Sequence, residues 1–152
     1  MDKRKLQLEQ LDKKFKKLSV LKDVTPPHIG WIKTVRTVLG MSMNQLAKKI
    51  GVTSQSVLES EQREKEGSIS IKLLRNIANA LDMELVYGFI PKDGSIDDLI
   101  TKKAQKLATE IVMRTSNTMK LEDQENTKER LQKAIDERTI LLKQKTPKAL
   151  WD

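Results

Sequence analysis

Leu46-Ala47-Lys48-Lys49-Ile50-Gly51-Val52-Thr53-Ser54-Gln55-Ser56-Val57 is the stretch that decides the fold. Leu46, Ile50, Val52 and Val57 supply an apolar wedge between two short helices. Ala47 has to be small because the following helix crosses close above it, and Gly51 takes the left-handed backbone that a tight turn needs. Just upstream, Ser42-Met43-Asn44-Gln45 reads as a capping box, with Ser42 accepting from a backbone N–H and Gln45 reaching back. Thr53 caps the next helix, which begins Ser54-Gln55-Ser56-Val57. Before this pair, Trp31–Leu39 sets Ile32, Val35 and Leu39 on one face of a helix that stops at Gly40. After it, a helix starting near Ser70 turns Leu74, Ile77, Ala78 and Leu81 inward. An ordinary helical hairpin has the same apolar pattern but does not need this Ala/Gly spacing.

Composition agrees with a helical reading. The 152 residues include two Phe, two Trp and one Tyr, so the core must come from Leu, Ile, Val, Met and Ala, which suits packed helices better than stacked sheets. Cys is absent and His28, a linker residue, is the one histidine, which argues against disulfides, thiolate zinc and multi-histidine metal sites. No Gly-rich phosphate loop and no nucleophile–base pairing appears, so neither catalytic residues, a metal nor a cofactor is expected, and the chain is read as a binder rather than an enzyme. No apolar run reaches the length of a membrane span, and Met1–Lys17 lacks the apolar core of a signal peptide, so a cytoplasmic location is expected.

The net charge of +8 favours a polyanionic partner, with nucleic acid the commonest. Residues 1–30 carry 8 basic and 4 acidic side chains, residues 31–94 carry 9 and 7, and residues 95–152 carry 12 and 10. The excess therefore lies mainly in the N-terminal arm and not in the motif, so charge alone does not establish DNA binding.

The chain divides into three segments around this motif. Residues 1–29 hold an amphipathic helix with Leu8, Leu11, Phe15 and Leu18 on one side and Lys13, Lys14, Lys16 and Lys17 on the other, ended by the stiff Thr25-Pro26-Pro27 hinge. Its lysines would suit a membrane surface, but the narrow apolar side favours packing on the fold or a partner. Residues 30–91 hold the paired helices, with Trp31 read as core. They close on Met83–Ile90, where Met83, Leu85, Tyr87 and Phe89 alternate with Glu84, Val86, Gly88 and Ile90. One strand is not stable alone, so Met83, Leu85, Val86, Tyr87 and Phe89 are expected to pair with the same strand of a second copy, or else with an arm of the same chain. Residues 92–152 begin with the turn Lys92-Asp93-Gly94-Ser95. Two helices follow, roughly Asp97–Arg114 and Leu121–Lys143, separated by the polar Thr115-Ser116-Asn117-Thr118. On the later one Leu121, Leu131, Ile135 and Leu142 form an intermittent stripe, suited to dimer packing or to a partner. Leu150 and Trp151 lie beyond Pro147, either as an anchor in another protein's pocket or folded back on these helices.

Residues 31–81 resemble the phage-repressor type of helix-turn-helix, a five-helix DNA-binding fold. The resemblance implies an internal salt bridge between Arg36 and Glu61. Two positions depart from its pattern: Met43 stands where many members carry a phosphate-touching Gln, and Ser60 where Leu or Ile usually completes the core. The expected fold is thus mainly α, a helix-turn-helix bundle with one short dimerising β-strand and flanking N- and C-terminal helices.

In such a motif the second helix enters the major groove with its N-terminal side chains at the base edges. Ser54, Gln55, Ser56 and Glu59 are the candidate base readers. Gln55 is able to pair with adenine in a bidentate manner, and Glu59 either accepts from a cytosine amine or is a solvated charge. Leu58 either meets a thymine methyl or packs near Leu73. Asn44, Lys48 and Arg63 are the candidate phosphate contacts, against the plainer reading of Lys48 and Lys49 as a solvated face. A homodimer on an inverted-repeat operator in double-stranded DNA follows from this geometry.

Over nearly the whole chain, Gly30-Trp31-Ile32, Glu64-Lys65-Glu66-Gly67-Ser68-Ile69, Glu84-Leu85-Val86-Tyr87 and Leu150-Trp151-Asp152 resemble the mobile mystery protein A family. That resemblance implies an association with mobile elements and an antitoxin-like, autoregulating role beside a Fic-domain protein. The alternative is direct inhibition of a Fic-type enzyme, with DNA binding secondary. Fic enzymes are often restrained by a Ser/Thr-x-x-x-Glu-Gly/Asn helix, and the nearest match, Leu121-Glu122-Asp123-Gln124-Glu125-Asn126, lacks the first hydroxyl.

Overall fold

The computed structural model describes residues 2–121 and 127–152; of the candidate Fic-restraining sequence Leu121–Asn126, all but Leu121 lies outside the described residues. The described residues form seven α-helices: α1 (Lys3–Leu18), α2 (Trp31–Val38), α3 (Met43–Ile50), α4 (Ser54–Glu66), α5 (Ile71–Ala80), α6 (Ile96–Leu121) and α7 (Lys128–Lys145). Packing divides the chain into two units, Leu21–Gly88 and Met1–Val20 with Phe89–Asp152. The N-terminal arm is therefore not a separate segment, because α1 belongs with the C-terminal helices.

In the Leu21–Gly88 unit, α2 to α5 enclose a core of Ile32, Leu46, Ala47, Val57, Ile77 and Leu81. Leu46, Val57 and Ile77 are almost wholly removed from solvent, each stabilising the unit by about 1.5–3 kcal/mol. The helix starts are set by local chemistry. Ser42 and Gln45 form a reciprocal capping box at α3, Thr53 accepts from the Ser56 N–H at α4, and Ser70 accepts from the Leu73 N–H at α5. Gly51 ends α3 at φ 73°, ψ 35°, and its N–H and that of Val52 both donate to the Ala47 carbonyl. That left-handed residue turns the chain sharply enough for α4 to cover Ala47.

The expected β-strand is absent: no strand occurs among the described residues, and Met83, Leu85, Val86, Tyr87 and Phe89 lie in irregular backbone. The reason is local. The Met83 N–H is taken by the Ala78 carbonyl in the turn that closes α5, and no second strand among the described residues offers a ladder. Val86, Tyr87 and Phe89 are exposed. Trp31, expected in the core, is half exposed, because Ile32 is the side chain at the start of α2 that points inward.

In the other unit α6 and α7 form an antiparallel hairpin. Ala104 and Ala108, both fully buried, let Ile135 and Leu142 of α7 approach, and Ile100 and Leu150 complete the core. Lys143 near the C-terminus of α7 pairs at 2.7 Å with Asp97 in the first turn of α6, so each charge also opposes the helix dipole it faces. α6 does not stop at Arg114 but runs through residues 115–118. The Thr115 and Thr118 hydroxyls donate to the carbonyls four residues earlier, which satisfies these polar side chains without breaking the helix. α1 lies against α6: Leu8 packs on this core, and the Asp12 carboxylate accepts from the Ile96 N–H at 2.7 Å, capping α6 from another helix.

Candidate nucleic-acid interface

α3 and α4 present the candidate interface. The inner side of α4 is Val57, Ser60, Glu61 and Glu64; Gln55, Leu58, Glu59 and Gln62 are exposed on its outer side. This split follows the helical period, which separates residues 57, 60, 61 and 64 from 55, 58, 59 and 62.

Of the candidate base readers, Gln55 and Glu59 are exposed, and Ser54 and Ser56 are half-buried at the helix start. Ser56 is further occupied, since its hydroxyl lies 3.0 Å from that of its cap, Thr53. Gln55 is thus the one exposed, uncharged candidate reader in the first turn. Leu58 is exposed as well, away from the core that partly buries Leu73. Gln62, not singled out from sequence, shares this side one turn further on, and its amide donates to Glu66 at 2.6 Å. The i, i+4, i+7 spacing of Gln55, Glu59 and Gln62 was the signal available for it. Asn44 and Lys48 on α3 and Arg63 on α4 are exposed, as phosphate contact requires.

The structure brings Arg36 and Glu61 together. Arg36 Nε donates to Glu61 Oε1 at 2.6 Å, with the side chains 11% and 5% exposed, and Arg36 Nη1 donates to the Met41 carbonyl at 3.0 Å. The pair ties α2 to the inner side of α4. Ser60, where an aliphatic residue is usual, is buried with its hydroxyl donating to the Ser56 carbonyl at 2.8 Å, so it leaves no unsatisfied polar group.

A second tie has no local sequence signal. Glu64 accepts from the backbone N–H of Ile32 at 2.9 Å and of Trp31 at 3.1 Å. Gly30, which precedes α2 at φ 91°, has no side chain to offer these donors, and a Cβ there would lie 2.7 Å from Glu64 Oε1. The glycine therefore makes room for a carboxylate supplied by α4.

Leu150 is 3% exposed in the second core, so it is a packing residue and not a free anchor; Trp151 is 54% exposed. No helix of the described residues is long and apolar enough to cross a membrane.

A family model described as helix-turn-helix matches residues 32–87, which take in α2 through α5 and the segment after them. Those residues are a helix-turn-helix domain. No curated protein and no solved structure matches the chain.

Proposed function

We propose that this helix-turn-helix domain makes the protein a sequence-specific transcriptional regulator, a binder of double-stranded DNA and not an enzyme. α4 lies in the major groove with Gln55 leading at the base edges, and Asn44, Lys48 and Arg63 hold the phosphates. The observation that carries this reading is the capped α3–turn–α4 unit, whose outer side leaves Gln55, Glu59 and Gln62 free of the core. Two copies bind an inverted repeat with half-sites about 34 Å apart; the exposed apolar pair Val86 and Tyr87 supports self-association. Enrichment from random duplexes tests this. An inverted repeat should emerge, and Gln55→Ala should lose preference for it. Failure to enrich any sequence, at a salt concentration where duplex is bound, would refute sequence-specific reading.

The resemblance to the mobile mystery protein A family supports a finer role, as the autoregulating, antitoxin-like partner of a Fic-domain protein. Direct restraint of a Fic-type enzyme, with DNA secondary, is the second reading; it is favoured by a helical unit outside the DNA-reading domain. Inhibition of such an enzyme that persists in the Gln55→Ala protein and is unaffected by operator would favour it.

A further inference from the structure

The helix-turn-helix unit carries little of the charge that DNA binding needs. Residues 21–88 hold nine Lys or Arg and seven Asp or Glu. The reading helix is acidic: Glu59, Glu61, Glu64 and Glu66 outnumber Arg63 and Lys65, and among the described residues only Glu61 of these is paired with an arginine. Affinity for duplex DNA is dominated by cations that replace condensed counterions, commonly at six to ten phosphates. The unit's small positive excess leaves room for cations from outside it, beside Lys48 and Arg63.

α1 supplies them. Residues 1–20 hold seven Lys or Arg against three Asp or Glu. One of those three acids, Asp12, is spent capping α6 through the Ile96 N–H. That bond and the packing of Leu8 fix which side of α1 faces α6. Lys13, Lys14, Lys16 and Lys17 are all exposed, and none makes an ion pair among the described residues. Four cations within five residues of one helix form a concentrated positive surface that no ion pair among the described residues neutralises.

We propose that α1 is a second, sequence-independent DNA-contact surface, on which Lys13, Lys14, Lys16 and Lys17 bind the backbone phosphates of duplex DNA. This rests on the DNA-binding reading of α4 and divides the labour: α4 selects the sequence and α1 supplies affinity. Gln retains helix propensity, so the full chain with Lys13→Gln, Lys14→Gln, Lys16→Gln and Lys17→Gln is the direct test. Both the enriched duplex and a random duplex are titrated over a range of salt. Binding to both should weaken by about 10- to 100-fold near ~0.1 M salt, and the slope of log affinity on log salt should become shallower by about 2–4. Arg at the same four positions should restore affinity and slope. The inference is overturned if wild-type chain binds duplex and the Gln variant keeps the wild-type slope. It is equally overturned if the four lysines govern binding to phosphatidylserine vesicles and leave the DNA slope unchanged. A wild-type chain that binds duplex with this slope but without sequence preference would refute the α4 reading and uphold that of α1.

Discussion

The Glu64 carboxylate, in the last turns of α4, accepts the backbone N–H of Ile32 at the start of α2, 32 residues away. A helix start leaves its first N–H groups without intrahelical partners, and here a side chain of α4 satisfies them. Glu64→Ala should cost about 1–2 kcal/mol in urea denaturation, the scale of a lost N-cap. Gly30→Ala should destabilise too, since it adds a left-handed alanine to a clash with the same carboxylate. If the two substitutions act through one contact, their combined cost will be less than the sum.

Arg36 and Glu61 are buried together, so removing either strands the other's charge. Arg36→Met or Glu61→Leu alone should cost about 3–5 kcal/mol, whereas the double replacement should recover much of the loss. Single variants that denature at the wild-type midpoint would show that the pair contributes nothing.

What was legible in the sequence was local. Ser42, Gly51, Thr53 and Ser70 act within a few residues of themselves, so their side chains announce the helix boundaries directly. Glu64 and Asp12 also cap helices, but across 32 and 84 residues, and nothing near either marks its target. The polar run at residues 115–118 reads as a break, yet its threonines bond back into their own helix. The alternation of Met83–Ile90 fits a strand, but a period-two pattern does not provide a partner ladder. At the candidate interface, exposure follows from helical phase and was readable; the engagement of Ser56 by Thr53 was not, because it depends on which hydroxyl the cap takes.

Gln55 should carry sequence preference and little else. Gln55→Ala is expected to weaken binding to the enriched duplex by about 1–3 kcal/mol while leaving random duplex nearly unchanged. The charge substitutions on α1 should show the opposite pattern, lowering both equally. Titrations of both variants on both duplexes at one salt concentration separate the two roles.

Asp98 gives the α6 start an acid sensitivity. Hydrogen bonds from the Ser95 backbone N–H and then its hydroxyl, aided by Lys102 and Lys143, hold its carboxyl below the ordinary value of 3.8. A depressed folded pKa means that the stabilisation is present above the unfolded value and is lost as pH falls through the folded one. Asp98→Asn should therefore lower thermal stability slightly at pH 7, and the difference from wild type should shrink and vanish as pH falls through the lowered folded value. A difference that grows on acidification would contradict this.

Leu150 and Trp151 are neighbours with opposite fates, and that decides how Trp151 can be tested. Leu150 is buried against α6 with Ala104 and Ala108, so removing Thr146–Asp152 would open the second core as well as delete the tryptophan. Point substitutions separate the effects. Leu150→Ala should destabilise the Met1–Val20 and Phe89–Asp152 unit by about 2–4 kcal/mol through cavity formation. Trp151→Ala should cost under about 1 kcal/mol, because half of its surface already meets solvent. The two tryptophans fall in different units, so Trp31→Phe leaves Trp151 fluorescence as a private reporter for the Leu150→Ala measurement. Circular dichroism serves for Trp151→Ala. If Trp151→Ala proves as damaging as Leu150→Ala, the exposed ring is a packing element. If it is silent in stability yet abolishes binding of a Fic-domain partner, the ring is the anchor and Leu150 its support.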